Sequence, residues 1–427
     1  MAYRLSPASR LLIASAALCA SVVAVVTAQR PTLLDNPAIA YSKSAPTDAI
    51  ARLQQQLDSG AATLEFDEAR GYLPSVLKHL EVSTASQGLV FSRTSLQVSH
   101  IAPWSPRALY FNDDVYVGYV KDGPIMEIAS VDDKLGAVFY TLSQEKTERP
   151  TFQRETTTCL MCHNSAEVTG GVPGLIVRSM YPDRYGYSIS SVGNGVTTDQ
   201  TPIEQRWGGW YVTGTMGPQK HAGNILAPVL VHDVDNVKGY MARVDLGAGS
   251  QVTDLSDRFD TDVYLTPHSD IVALLVLAHQ ATVHNLITRA GYDARIGRPL
   301  DGDIDALVQA LFFAKEAPFQ APVKGTTAFA EEFAAQGPRD AKGRSLRDLD
   351  LTTRMFRYPL SYLIYSDQFD ALPVTVKTQV YAKIRSALDG EGTIATLANL
   401  SAEDRTAIRE ILTETKADFA EATAAKP

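Results

Sequence analysis

Residues 159–163 read Cys-Leu-Met-Cys-His. Two thiols at this spacing reach the two vinyl groups on one porphyrin edge, and a histidine directly after the second thiol falls under the central metal. The run predicts one covalent c-type haem, with Cys159 and Cys162 as thioether donors and His163 as proximal ligand of the iron. Few other features constrain a fold so directly, because the chain must build a seat for a large flat group around this one turn.

Cysteine usage agrees with that reading. The 427-residue chain has three cysteines, and Cys19 lies in the N-terminal segment. Only Cys159 and Cys162 then remain, so there is no disulfide framework of the kind small exported domains use. Three other readings compete for these thiols. A redox dithiol follows a strand in a βαβ pattern, which is missing around Thr156-Thr157-Thr158. A zinc site needs further spaced ligands. A simple disulfide leaves His163 unexplained.

The N-terminus predicts export. Arg4 and Arg10 precede an uncharged stretch from Leu11 to Val26, and Val26-Thr27-Ala28 places small side chains where a signal peptidase reads. Cleavage after Ala28 is expected, which makes the protein periplasmic. The alternative is an uncleaved anchor facing the periplasm, and a membrane is a partner only in that case. No later stretch is expected to span a bilayer. The formal net charge is −9, and removal of the two arginines gives −11. That balance argues against nucleic acid, which demands a basic footprint, and permits docking to a redox partner protein.

Periodicity predicts an α+β fold. Ile50, Leu53 and Leu57 mark a helix over 47–58. Four strand-like runs begin at Ala108, Val115, Ile125 and Ala137, with turns at Lys121-Asp122-Gly123 and Asp132-Asp133-Lys134, so a β-meander precedes the haem motif. Glycine is frequent from Asn164 to Gly223, where long helices are not expected and a strand is expected near Trp207–Gly214. From Pro267 the pattern turns helical. An apolar helix from Ile271 to Arg289 is expected to end near Gly291, followed by helices over 304–315, 328–335, 374–388 and 402–424. The expected organisation is a signal peptide over 1–28, a β-rich haem-bearing region over 29–265 and a helical region over 266–427 packed against it.

The second axial position decides function, since a protein ligand there favours electron transfer and an open face permits chemistry. Its candidates are His279, His221 and Met180. His279 lies mid-helix among Leu275, Val276 and Val283, where the bland reading is a core histidine bonded to a carbonyl. His284 is about 140° further round the helix and cannot share an iron with it. Met180 and Met216 equally suit packing. Arg178, Arg184 and Arg206 are candidate propionate partners, or else ordinary surface and Asp-paired arginines.

The attachment motif resembles that of c-type cytochromes. The rest is unlike the small all-helical cytochrome c fold. The segments Glu204-Gln-Arg-Trp-Gly-Gly-Trp-Tyr-Val-Thr-Gly, Lys220-His-Ala-Gly-Asn and Tyr358-Pro-Leu-Ser-Tyr-Leu-Ile-Tyr-Ser-Asp-Gln-Phe-Asp-Ala-Leu-Pro are similar to segments of large exported bacterial cytochrome-like proteins of unassigned function. The resemblance covers about Pro106 to Leu372 and implies only haem binding at Cys159, Cys162 and His163. A single attachment motif excludes di-haem peroxidases. The expected function is periplasmic electron transfer. The alternatives are a haem enzyme, such as a peroxidase or small-nitrogen-compound oxidase, and a haem-based binding or sensor module.

Overall fold

The computed structural model describes residues 33–227, 239 and 243–424, so the predicted signal segment lies outside the described residues. Two compact units meet at Ser44 and Ala45. In the first, a 3-10 turn at Leu33–Asp35 leads to Asn36, whose carbonyl accepts from Ile39 N–H at 2.9 Å. Everything below concerns the second unit, which is α+β.

Helix α1 (Ala49–Ser59) begins at Asp48, whose carboxylate accepts from the amides of Ile50 and Ala51. It ends at Gly60, in the left-handed conformation that a residue without Cβ adopts most easily. Helix α2 (Leu73–His79) follows. The predicted meander appears as β2 (Arg107–Phe111), β3 (Val115–Tyr119), β4 (Ile125–Asp132) and β5 (Gly136–Ser143), preceded by β1 (Gly88–Val90). Strand β6 (Phe152–Glu155) adds one edge. Later come β7 (Arg178–Met180) and β8 (Asn194–Val196), which pair only with each other, and β9 (Trp210–Tyr211). Among the described residues the main sheet has seven antiparallel strands in the order β6-β5-β4-β3-β2-β1-β9.

Register sorts the side chains onto two faces, because alternate residues point to opposite sides. On one face Tyr110, Val117, Ile128 and Tyr140 align across the strands, and the Tyr140 hydroxyl donates to Asp48 at 2.6 Å, seating α1 there. On the other, Phe111, Tyr116, Ala129 and Phe139 align with Glu155. This second face meets α4 (Ile271–Arg295) through the Gln280 amide, which donates to the Tyr116 hydroxyl at 2.9 Å.

Helix α4 is the centre of the core: 19 of its 25 residues are buried. By length and composition it would pass for a membrane span, contrary to the expectation that no later stretch would, but 83% of its most apolar window is packed inside the protein. A helix apolar all round is what burial on every side requires. It also runs past Gly291. That glycine is an interior residue beside Leu372, and the stop is Gly297 at φ +74. At the start, Asp270 caps with one oxygen on the amides of Val272 and Ala273. Its other oxygen accepts from the Thr326 amide and from the amide and hydroxyl of Thr327, at 2.8 to 2.9 Å.

Helices α5 (Asp301–Leu311), α6 (Phe329–Ala335) and α7 (Val374–Leu388) complete the layer beside α4. The single helix expected over 402–424 is two, α8 (Ala402–Thr415) and α9 (Ala417–Ala424), broken at Lys416, whose extended backbone lets its buried ammonium pair with Asp370. Neither glycine nor proline marks that break.

Candidate functional site

The pentapeptide follows β6 and forms one helical turn, α-helical over Leu160–His163. The amides of Cys162 and His163 both donate to the Cys159 carbonyl, at 3.2 and 2.9 Å. Residues three and four apart in such a turn share a face, so Cys159, Cys162 and His163 project together. Met161 projects elsewhere and is 83% exposed. The thiols are free, Cys162 exposed and Cys159 half-buried at the rim of the core beside Leu160.

His163 is held by its other nitrogen. Nδ1 donates to the Gly174 carbonyl at 2.8 Å, and the ring leans on Phe139 with centroids 4.7 Å apart. In the neutral ring this tautomer leaves Nε2 as a lone-pair donor, the usual arrangement of a metal-bound histidine. Burial lowers the His163 pKa, opposed by the Gly174 hydrogen bond, with Arg107 and Arg178 lowering it further and Glu127 raising it. The ring is therefore held in its neutral form. Burial pushes the Cys159 thiol up to about 12, aided by the Glu155 and Glu127 carboxylates. A redox dithiol works through a depressed thiol pKa, so this environment argues against that reading.

Among the described residues, two polar atoms close to the turn are buried with no partner: Arg107 Nε and Asn164 Oδ1. Arg107 also pairs with Glu127 at 3.4 Å on the sheet face that carries Leu109 and the side-chain-free Gly118. One exposed and one half-buried thiol, an anchored imidazole and an unsatisfied guanidinium nitrogen are what a thioether-linked, carboxylate-bearing porphyrin would engage, and the residues fit that group.

Among the described residues, none of the axial candidates shares a hydrogen bond or ring contact with the turn. His279 is wholly buried with both nitrogens engaged: Nδ1 donates to Asp199 Oδ2 at 2.7 Å, and Nε2 lies 2.7 Å from the Ser361 hydroxyl. This is a core histidine, bonded to side chains rather than to the carbonyl expected. His221 Nδ1 accepts from the Gly223 amide, and burial lowers its pKa to about 4, so the proton of the neutral ring sits on Nε2. Met180 is buried, its carbonyl against Gly208 and its side chain near Gly209. Arg206 is also buried, its Nε and Nη2 donating to the carbonyls of Thr201 and Asp199, which removes it from the propionate candidates. Arg184 stacks over Tyr185, and Arg178 acts on His163 only through its charge.

Sequence reasoning missed the Asp199–His279–Ser361 chain. Its members lie 80 and 82 residues apart in pairs, so no local spacing announces them. The order is that of a nucleophilic triad, but Ser361 is wholly buried and also accepts from the Leu363 amide at 3.3 Å. A sealed hydroxyl that caps a turn holds structure together and does not attack a substrate. Compared with known protein families, curated proteins and solved structures, the chain matches none.

Proposed function

We propose that this protein is an exported mono-haem c-type cytochrome that carries electrons in the periplasm. The observation that supports it best is the shared face of Cys159, Cys162 and His163, with the imidazole anchored through Nδ1. Cys159 and Cys162 would hold the haem edge as thioethers, and His163 Nε2 would ligate the iron. Arg107 and Arg178, whose charges reach the His163 ring, would face the propionates, and the unpartnered Arg107 Nε would gain an acceptor. When bound, haem supplies a one-electron couple whose potential depends on its axial ligands and burial. The net charge of −9 suits docking to a basic redox partner.

The test is the absorption spectrum of protein matured with a haem-attachment system, ferric and ferrous, with and without cyanide. Sharp low-spin bands unmoved by cyanide support electron transfer. High-spin bands that shift with cyanide replace it with catalysis or ligand sensing, and absence of covalent haem overturns the proposal.

A further inference from the structure

Exposed apolar side chains gather on one face of the molecule. Among the described residues eight large hydrophobics are exposed, and five of them, Leu96, Val98, Trp104, Tyr185 and Tyr187, lie on two loops that pack together. Arg93 ties the loops. Its amide donates to the Gly186 carbonyl at 3.0 Å and its Nε to the Tyr185 carbonyl at 2.9 Å. Its Nη1 donates to the Val98 carbonyl and the Tyr187 hydroxyl, at 3.2 and 3.1 Å. Gly186, at φ +89, makes the approach possible, because a Cβ there would stand 2.4 Å from the Phe91 carbonyl oxygen. Asp183 holds the turn by accepting from the amides of Tyr185 and Tyr187, and Trp104 meets Tyr185 edge to face with centroids 6.2 Å apart. The rings are therefore presented on a braced frame, and an apolar patch kept in water in this way marks an interaction surface.

We propose that this face docks on an anionic phospholipid surface. Charge selects that occupant. In a chain of net charge −9, residues 92–106 and 184–198 include Arg93, His100 and Arg184 but no carboxylate. Arg93 lies 4.4 Å over the Tyr187 ring and Arg184 5.0 Å over the Tyr185 ring, and neither pairs with a carboxylate among the described residues. The neighbouring acids are engaged: Asp183 is buried, and Glu127 accepts from the Leu96 amide and pairs with Arg107. The side-chain types match the layers of a bilayer surface. Trp and Tyr rings sit at headgroup depth, aliphatic side chains such as Leu96 and Val98 enter the acyl boundary, and guanidinium groups meet phosphates. An anionic membrane repels the acidic remainder of the chain, so contact is directed to this face. None of these residues belongs to the attachment turn, and the proposal stands apart from the haem reading.

Trp104 supplies the test. The chain has three tryptophans, and Trp207 and Trp210 are buried, so Trp104 is the indole whose surroundings change on docking. With mixed phosphatidylglycerol–phosphatidylcholine vesicles, the full chain should sediment, and its emission should move to shorter wavelength and be quenched by brominated acyl chains. Pure phosphatidylcholine vesicles should leave the emission unchanged. Leu96→Ser combined with Val98→Ser, exposed changes that leave folding intact, should weaken sedimentation roughly tenfold. Arg184→Gln, equally exposed, should weaken it several-fold. Four results would each overturn the proposal: an emission shift that persists in Trp104→Phe, equal response to neutral vesicles, or sedimentation with Trp104 emission unmoved, which would place the contact elsewhere, as at residues 11–26. The fourth is no vesicle binding at all, which would give the face to a protein partner.

Discussion

The pentapeptide turn and the Asp199–His279–Ser361 chain each gather three side chains of reactive type, one a histidine, yet they occupy opposite environments. The turn follows an edge strand, with an exposed thiol and, among the described residues, one imidazole nitrogen unclaimed. In the core chain both nitrogens of His279 are taken, and its hydroxyl and ring are closed off from solvent. Burial and hydrogen-bond saturation, not residue type, separate a group available to a ligand from one committed to assembly.

The comparison breaks most visibly at the thiols. On the proposed reading, replacing both Cys159 and Cys162 with serine should remove all covalent haem, read as loss of peroxidase staining on a denaturing gel. Haem that survives there would mean attachment elsewhere. In the core, Asp199→Ala should lower the unfolding free energy by about 2–3 kcal/mol in urea, since it strands His279 Nδ1 without an acceptor. A wild-type midpoint would erase the contrast. Ser361→Ala should cost less, about 1 kcal/mol, as one neutral hydrogen bond and a turn cap are lost.

Titration sharpens the same contrast. Burial makes the folded Glu316 bind its proton more tightly than the unfolded chain does, so its contribution to stability is complete below about pH 4.5 and is lost as pH rises through about 8. Urea midpoints of Glu316→Gln against wild type should therefore diverge with rising pH, the variant gaining; parallel curves would count against a proton held in the fold. Smallest of all, Met161→Gln should shift stability by no more than about 0.5 kcal/mol and leave haem attachment unchanged.

What could be read in advance follows the same division. The meander was legible because its alternation and its Asp-rich turns are local: Asp132, for example, accepts from the amides of Lys134 and Leu135 at 2.9 Å. The start of α4 was legible at Ile271, where the apolar helix was expected to begin, but its end was read at Gly291 when Gly297 supplies the stop, because only packing distinguishes an interior glycine from a terminal one. The break at Lys416 answers to a buried ion pair with Asp370, which no neighbouring residue signals. The Cys159–His163 run is contiguous, so its spacing is visible in the sequence, and the structure adds that it forms one helical turn. Asp199, Ser361 and Glu316 acquire their meaning only when distant segments meet.

Asp270 carries a consequence for motion. One carboxylate receives five donors, two from the first turn of α4 and three from Thr326 and Thr327, and Gly325 leaves no room for a side chain beside it. The first turn of the core helix cannot fray without releasing the 325–327 loop, and the loop cannot lift without uncapping the helix. In hydrogen exchange those amides should open together at one rate, as a single cooperative latch.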